Sequence, residues 1–400
     1  MIQFPIIYLN SNDGTGLLAF GEGETIILKK NDTLQNLQEF IDQQKGNYLF
    51  GYLSYDLKEE LHGLKSENND GLLFPETYFW KPKYVVNLHK ESVEFLQGEK
   101  NSESLNFISQ FLEEETDQNF HPHNFDFKAR ISKEEYINKI LKIKEQIQLG
   151  NIYELNFCQE YFAENVDIPY EIDTYFKLNT ITQAPYSSYF KFGEFDIFCG
   201  SPERFLKKEG NRLISQPIKG TAPRGGTIEE DARIKKTLSE DPKERAENIM
   251  IVDLVRNDLS RVAAVNSVRV DELCEIYSFE TVHQMISSIS CDLKEGVSFT
   301  EILKATFPMG SMTGAPKLRA MELIEELESF KRGLYSGSIG YITPNGDFDF
   351  NVVIRTLLYN KNERYLSCSV GGAITIQSDP EKEYQECLIK VKRIMDGINE

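Results

Sequence analysis

Along residues 132–150 the apolar side chains Tyr136, Ile140, Ile143 and Ile147 recur every three or four positions, which predicts a helix with one apolar face. Ser132 and Glu135 have capping-box spacing at its start, and Gly150 stops it. The period then changes to two. Over residues 152–162, Tyr153, Leu155 and Phe157 alternate with Glu154, Asn156 and Cys158, as in a strand whose polar stripe is either a solvent face or a site floor. Hairpin-like strands continue through residues 186–217, broken at Gly193-Glu194 and at residues 209–211. Thr227 and Glu230 cap a second helix, Asp241 and Pro242 open a third, and residues 379–399 form a last one. Earlier, residues 47–55 (NYLFGYLSY) and 77–88 are β-prone, in a region read as short strands and turns with few long helices. The polar, acidic stretch at residues 113–124 suggests a junction, giving a mostly-β unit at 1–125 and a second unit at 126–400. Hairpins interspersed with helices, without βαβ regularity, predict an α+β class.

Composition narrows the function classes. The 400 residues carry a formal charge of −19, the opposite of what tracks a phosphate backbone, so nucleic-acid binding is disfavoured. No run approaches the roughly 18 apolar residues of a membrane span, and no signal peptide stands at the start. Six scattered cysteines, with no CxxC pair, read as small buried hydrophobes in a reducing compartment. A soluble, cytoplasmic protein is expected.

Several segments carry possible chemistry. Residues 241–247 and 379–386 both open a helix with Asp-Pro and place two glutamates three apart, Glu244/Glu247 and Glu383/Glu386. Each pair shares a helix face, and four converging carboxylates would call for a hard divalent cation such as Mg²⁺. Acid-x-x-acid pairs are also common on solvated faces, so the spacing alone does not decide. Lys219 lies between Ile218 and Gly220 at a strand end, where a lysine of lowered pKa would be a nucleophile. The Gly371-Gly372 pair offers backbone N–H groups to an anion. Arg355 sits within an otherwise apolar, strand-like run and needs an anion if buried. The Gly310-to-Lys317 segment lacks the GK[ST] ending of a P-loop. His283 by itself reads as structural.

In this order the segments resemble the chorismate-utilising enzymes, the family of anthranilate synthase component I, aminodeoxychorismate synthase component I and the isochorismate and salicylate synthases. The matching stretches are SPERF (201–205), PIKGTAPRG (217–225), DPKERAENIMIVDLVRNDLSRV (241–262), TVHQMIS (281–287), MTGAPKLRAMELIEELE (312–328), YSGSIGYI (335–342), DFNVVIRT (349–356), GGAI (371–374) and DPEKEYQE (379–386). The resemblance covers about two-thirds of the chain and thins toward the N-terminus, where GYLSYD (51–56) is the main match.

The resemblance implies large antiparallel sheets packed with helices in a β/α sandwich. Lysine at the third position of PIKGT points to the aminodeoxychorismate branch. Lys219 would attack C2 of the chorismate ring as the C4 hydroxyl leaves. Ammonia would then add at C4 and expel the lysine, giving 4-amino-4-deoxychorismate for p-aminobenzoate and folate synthesis. Glu203 matches the family's general acid, and His283 a histidine near the reacting edge. Gly220, Thr221, Thr313, Tyr341, Arg355, Gly371, Gly372, Ala373 and Lys390 would line the substrate pocket. Mg²⁺ would be held by Glu247 and Glu386 with Glu244 and Glu383 in support. The chain has no glutaminase signature, so ammonia is expected from a separate glutamine amidotransferase subunit. Isochorismate-forming relatives carry a water-activating lysine where this chain has Glu154, which argues against that chemistry. Two rivals stand: anthranilate synthase component I, aminating C2 with loss of pyruvate, and a non-catalytic chorismate-binding regulatory subunit.

Overall fold

The computed structural model describes residues 4–28, 32–90, 92–116 and 120–400. Two antiparallel sheets dominate. The first runs in the order Gly314–Ala315, Glu154–Ala163, Tyr365–Ile374, Thr356–Asn360, Phe195–Ser201, Tyr186–Phe192, Ile6–Asn10, Thr15–Phe20, Tyr84–His89, Ser92–Gln97. The second runs Ile218–Pro223, Val282–Asp292, Arg212–Gln216, Arg204–Glu209, Phe348–Asn351, Ser338–Ile342, Leu49–Leu53, Thr77–Trp80, Thr25–Ile27. Strands from residues 1–125 enter both sheets: Ile6–Asn10 pairs with Tyr186–Phe192, and Leu49–Leu53 with Ser338–Ile342. One hydrophobic core therefore joins both parts of the chain.

Between the sheets that core is largely aromatic, with Tyr78 stacked on Phe192 at 4.3 Å and Trp80 on Phe190 at 6.1 Å. Such ring pairs add about 0.5–1.5 kcal/mol each beyond the area they bury. A second apolar layer lies under the helices on the first sheet, where Tyr136, Ile140 and Ile143 of helix Lys133–Gln148 pack against Leu155 and Phe157. Ser132 caps that helix by accepting from the Glu135 N–H. Helix Pro380–Asn399 covers the same sheet, while helices Ile228–Glu240 and Pro242–Ser260 cover the end of the second. Both long helices with Asp-Pro starts are capped by that aspartate: Asp241 accepts from Lys243 and Glu244, and Asp379 from Glu381 and Lys382.

One expectation needs correction, and two segments gain definition. Residues 98–127 contain a helix, Ser102–Thr116, whose Ile108 and Phe111 are buried; its acidic surface hid a two-residue apolar stripe. Arg355 is not mid-strand. It occupies a bend between Phe348–Asn351 and Thr356–Asn360 with φ +53°, a left-handed conformation that costs an arginine about 1 kcal/mol or more. The polar stripe Glu154, Asn156 and Cys158 is no solvent face, since all three are buried. All six cysteines are free and buried, as the sequence suggested. Among the described residues no helix is long and apolar enough to cross a membrane.

Candidate active site

The strand carrying Lys219 breaks register against its partner between Ile218 and Thr221. Gly220 makes that irregularity possible with φ +86°, and the extra residue re-aims the lysine out of the ladder. Lys219 thereby crosses from the second sheet to the first. Its Nζ lies 3.2 Å from Oε1 of Glu154, on the strand Glu154–Ala163, in an ion pair whose side chains are 11% and 1% exposed. Burial pulls the Lys219 ammonium down, but the charges of Glu154, Glu247 and Glu203 outweigh it and hold the group above its usual range. The resting lysine is therefore protonated. Oε2 of Glu154 is buried and has no hydrogen-bond partner.

Glu203 is buried on the same side, and its environment is opposite in kind. Desolvation lifts its carboxyl from 4.5 to about 7, against the weaker pull of Ser311 and the Lys219 charge. An acid that stays protonated near neutrality beside a lysine is what general acid chemistry requires. Between Glu203, Ser311, Thr306 and Asp258 lies a cavity of about 20 Å³, room for one water.

His283 is fully buried, and both ring nitrogens are engaged, Nε2 with Asp231 at 2.9 Å and Nδ1 with Ser278 at 2.9 Å. It stands in register with Ala222, three residues past Lys219, and braces that strand; neither nitrogen is left to face a ligand. Asp231 also takes a two-pronged contact from Arg224, which holds its carboxyl far below the usual range. Thr221, in register with Gln284, is exposed.

The glutamates come from the two capped helix starts. Burial pushes Glu247 up to about 7 despite the nearby Lys219 and Lys243, and its Oε1 is buried without a hydrogen-bond partner. Glu244 lies against Gly220, whose Cα leaves only 3.1 Å between an added Cβ and Glu244 Oε2. Burial raises Glu244 as well. Glu383 approaches Gly372, and Lys243 stands between Glu247 and Glu383. Glu386 is half exposed and pairs with Lys390 at 2.7 Å; burial would raise it, but Lys390 holds it below its usual range. Among the described residues no three His, Cys, Asp or Glu side chains are gathered closely enough to hold a metal. The donor chemistry nonetheless fits magnesium. The set is all oxygen, it contains an orphaned buried carboxylate oxygen, and lysines supply the counter-charge that a cation would.

Lys390 also donates to Gly371 O at 3.3 Å. Gly371 must be glycine, because a Cβ there would lie 2.5 Å from Cys158 Sγ. Ala373 stands opposite Asn156, whose N–H is bonded to Thr313 O at 2.8 Å. The Thr313 hydroxyl turns back onto Met309 O and Gly310 O. Burial and the Arg393 charge both depress the Arg355 guanidinium, and among the described residues no side chain or carbonyl accepts from it. A half-buried guanidinium without a protein partner is a site for an anionic ligand.

Tyr341 is not part of this assembly. It stacks on Phe50 at 5.8 Å and stands opposite Asp349, in a separate polar group with Arg204 between the sheets. Tyr335, which sequence reasoning passed over, is buried near the Cys158 thiol that lies beside Gly371. Lys243 was also missed, although its four-residue spacing to Glu247 was visible.

A family model described as chorismate binding enzyme matches residues 4–396. Aminodeoxychorismate synthase component 1 of Bacillus subtilis is 33% identical over 96% of this chain and 86% of its own length. The protein of the same name from Escherichia coli is 33% identical over 94% of this chain and 84% of its own. The crystal structure of anthranilate synthase component I from Streptococcus pneumoniae superposes with a TM-score of 0.78 at 27% identity, covering 98% of this chain and 89% of that one. The matched family spans both sheets and every residue of the Lys219 pocket, and the chain belongs to the chorismate binding enzymes.

Proposed function

We propose that this chain is the chorismate-aminating component of an aminodeoxychorismate synthase, an enzyme that transfers an amino group to make 4-amino-4-deoxychorismate for p-aminobenzoate and folate synthesis. One observation carries the reading: a buried lysine, Lys219, shares its pocket with a buried acid, Glu203, that burial lifts to about 7. The printed names of the relatives that match nearly full length support it.

The residues divide the work as follows. Arg355 takes one carboxylate of the dianionic substrate, close to the Gly371–Ala373 backbone. Glu247 and Glu386 would hold Mg²⁺, with Glu244 and Glu383 supporting through water, and the bound ion supplies charge neutralisation at the ring carboxylate. Lys219 Nζ forms a bond to ring C2, the conjugated double bonds shift, and the C4–O bond breaks as Glu203 protonates the departing oxygen. Ammonia then bonds at C4, the double bonds shift back, and the C2–Nζ bond breaks. Glu203 recovers its proton from the new C4 ammonium. The ammonia comes from a separate glutamine amidotransferase subunit, a reading supported by the "component 1" in the relatives' names. Six reduced, buried cysteines support a cytoplasmic setting.

Incubation with chorismate, Mg²⁺ and ammonium tests this directly. The expected product is 4-amino-4-deoxychorismate, converted to p-aminobenzoate only when a lyase is added. Fluorescent anthranilate formed without a lyase would overturn the reading in favour of C2 amination.

A further inference from the structure

We infer that Glu154 is the base that frees Lys219 for attack, taking the ammonium proton through Oε1 and returning it when the lysine is expelled. The inference rests on the amination reading above and goes beyond it, because that reading needs a neutral Lys219 and leaves open where its proton goes. Surrounding carboxylates keep the resting Lys219 protonated, so a proton must leave before its lone pair can form a bond to carbon. Among the described residues the one hydrogen-bond acceptor on Nζ is Glu154 Oε1, at 3.2 Å. Both side chains are almost wholly buried, so bulk water is a poor competitor for that proton.

The environment of Glu154 suits it to accept. Its Oε2 is buried with no donor, so no other hydrogen bond competes for the carboxylate that faces Nζ. The backbone holds the acceptor in place. Gly314 and Ala315 pair with Leu155 and Glu154 on one side of the strand, and Ala373 and Ile374 with Asn156 and Leu155 on the other. Protons balance through the cycle. Nζ–H goes to Glu154, Nζ bonds to C2 and carries a proton as a secondary ammonium, and the departing oxygen takes its proton from Glu203. When ammonia bonds at C4 and the C2–Nζ bond breaks, the lysine leaves as a neutral amine and recovers the Glu154 proton.

The test uses Glu154→Gln, which keeps the hydrogen-bond geometry but cannot accept a proton, in the intact enzyme with chorismate, Mg²⁺ and ammonium. The expected result is a fall in kcat of about 10²–10⁴-fold, the usual contribution of a positioned base, with KM for chorismate within a few-fold of the parent. Below the Glu203 limb at about 7, its kcat should rise with pH more steeply than the parent's, because solvent must then take the Lys219 proton. The Lys219–chorismate adduct, read by intact mass, should form more slowly in Glu154→Gln than in the parent at pH 7. Glu154→Ala, a check against misfolding of the first variant, should recover turnover with added formate, whereas Glu154→Gln should not. Near-parent kcat and an unchanged pH profile in Glu154→Gln would overturn the inference, as would failure of formate to rescue Glu154→Ala. A parent enzyme that makes anthranilate instead would refute the amination reading separately. Lys219 reactivity toward an amine reagent, compared between parent and Glu154→Gln, still reports on the pair in that event.

Discussion

Lys243 stands between Glu247 and Glu383, with its Nζ 3.7 Å from the first carboxylate and 3.5 Å from the second. The ammonium spans two helix starts, Pro242–Ser260 and Pro380–Asn399, and neutralises part of a four-glutamate group. A divalent cation binding there competes with it. Turnover should rise saturably with Mg²⁺ and vanish on chelation. Lys243→Met should lower the Mg²⁺ concentration for half-maximal activity about 5-fold, the equivalent of the ~1 kcal/mol of a partly exposed ion pair. Glu247→Gln should raise it. A Lys243→Met enzyme that needs more Mg²⁺ than the parent would place the ion elsewhere.

Glu203 should impose an alkaline limb on the rate. As the proton donor to the leaving oxygen it works only when protonated, so kcat falls as pH rises through about 7. The stability effect has the same sign. Between the ordinary value of 4.5 and about 7 the folded chain holds a proton that the unfolded chain has lost. That contribution is complete below 4.5 and disappears as pH rises through 7. Glu203→Gln should lower kcat about 10²–10⁴-fold and remove the limb. Because burial also lifts Glu247 to about 7, persistence of the limb in Glu203→Gln would assign it to the metal-side carboxylate.

Arg355 couples binding to instability. Its guanidinium is half-buried and partly desolvated without an acceptor, and its backbone is held at φ +53°. Arg355→Met should therefore stabilise the ligand-free protein by up to about 1 kcal/mol, by removing a partly desolvated charge that no carboxylate compensates. The same change should raise the KM for chorismate at least about 10-fold, the loss of one charge-assisted contact. Urea unfolding without ligand and steady-state kinetics measure the two effects. A variant that loses affinity without gaining stability would mean the guanidinium is solvated in the free protein.

The sequence revealed what has a local signature and missed what depends on a turn or a sheet partner. The Asp-Pro helix starts, the hairpin breaks and the Ser132 cap each encode their geometry within a few residues, and each is found where the pattern puts it. Arg355 was read as mid-strand because apolar neighbours set a strand-like pattern, and nothing local signals a left-handed arginine. Tyr341 and Tyr335 lie in one motif six residues apart, and only the pairing of Ser338–Ile342 shows that Tyr341 faces Phe50. The polar stripe of Glu154, Asn156 and Cys158 was ambiguous for the same reason. Its burial depends on residues more than 60 positions away in the chain, such as Lys219, and on Gly371.

A second buried ionic group holds the floor of the pocket, and its removal gives a prediction that separates stability from activity. Arg332 donates to both oxygens of Glu328, to Met312 O at 2.7 Å and to Asn156 O at 2.8 Å, while Glu328 also accepts from the Cys158 N–H at 2.8 Å. Arg332 thus ties the 310–313 turn to the strand that carries Glu154. Asp56 accepts from Gly333 N–H at 2.9 Å and from Lys58 at 2.9 Å, joining the N-terminal GYLSYD segment to the same group. Arg332→Ala leaves Glu328 buried and unpaired and should cost about 3–5 kcal/mol in urea unfolding. The double variant Arg332→Met with Glu328→Leu removes both charges and should recover most of that loss, since apolar replacement of a buried pair is often neutral or better. It does not restore the bonds to Met312 O and Asn156 O, so kcat should remain depressed while the fold recovers. Full recovery of both would reduce Arg332 to a purely structural ion pair.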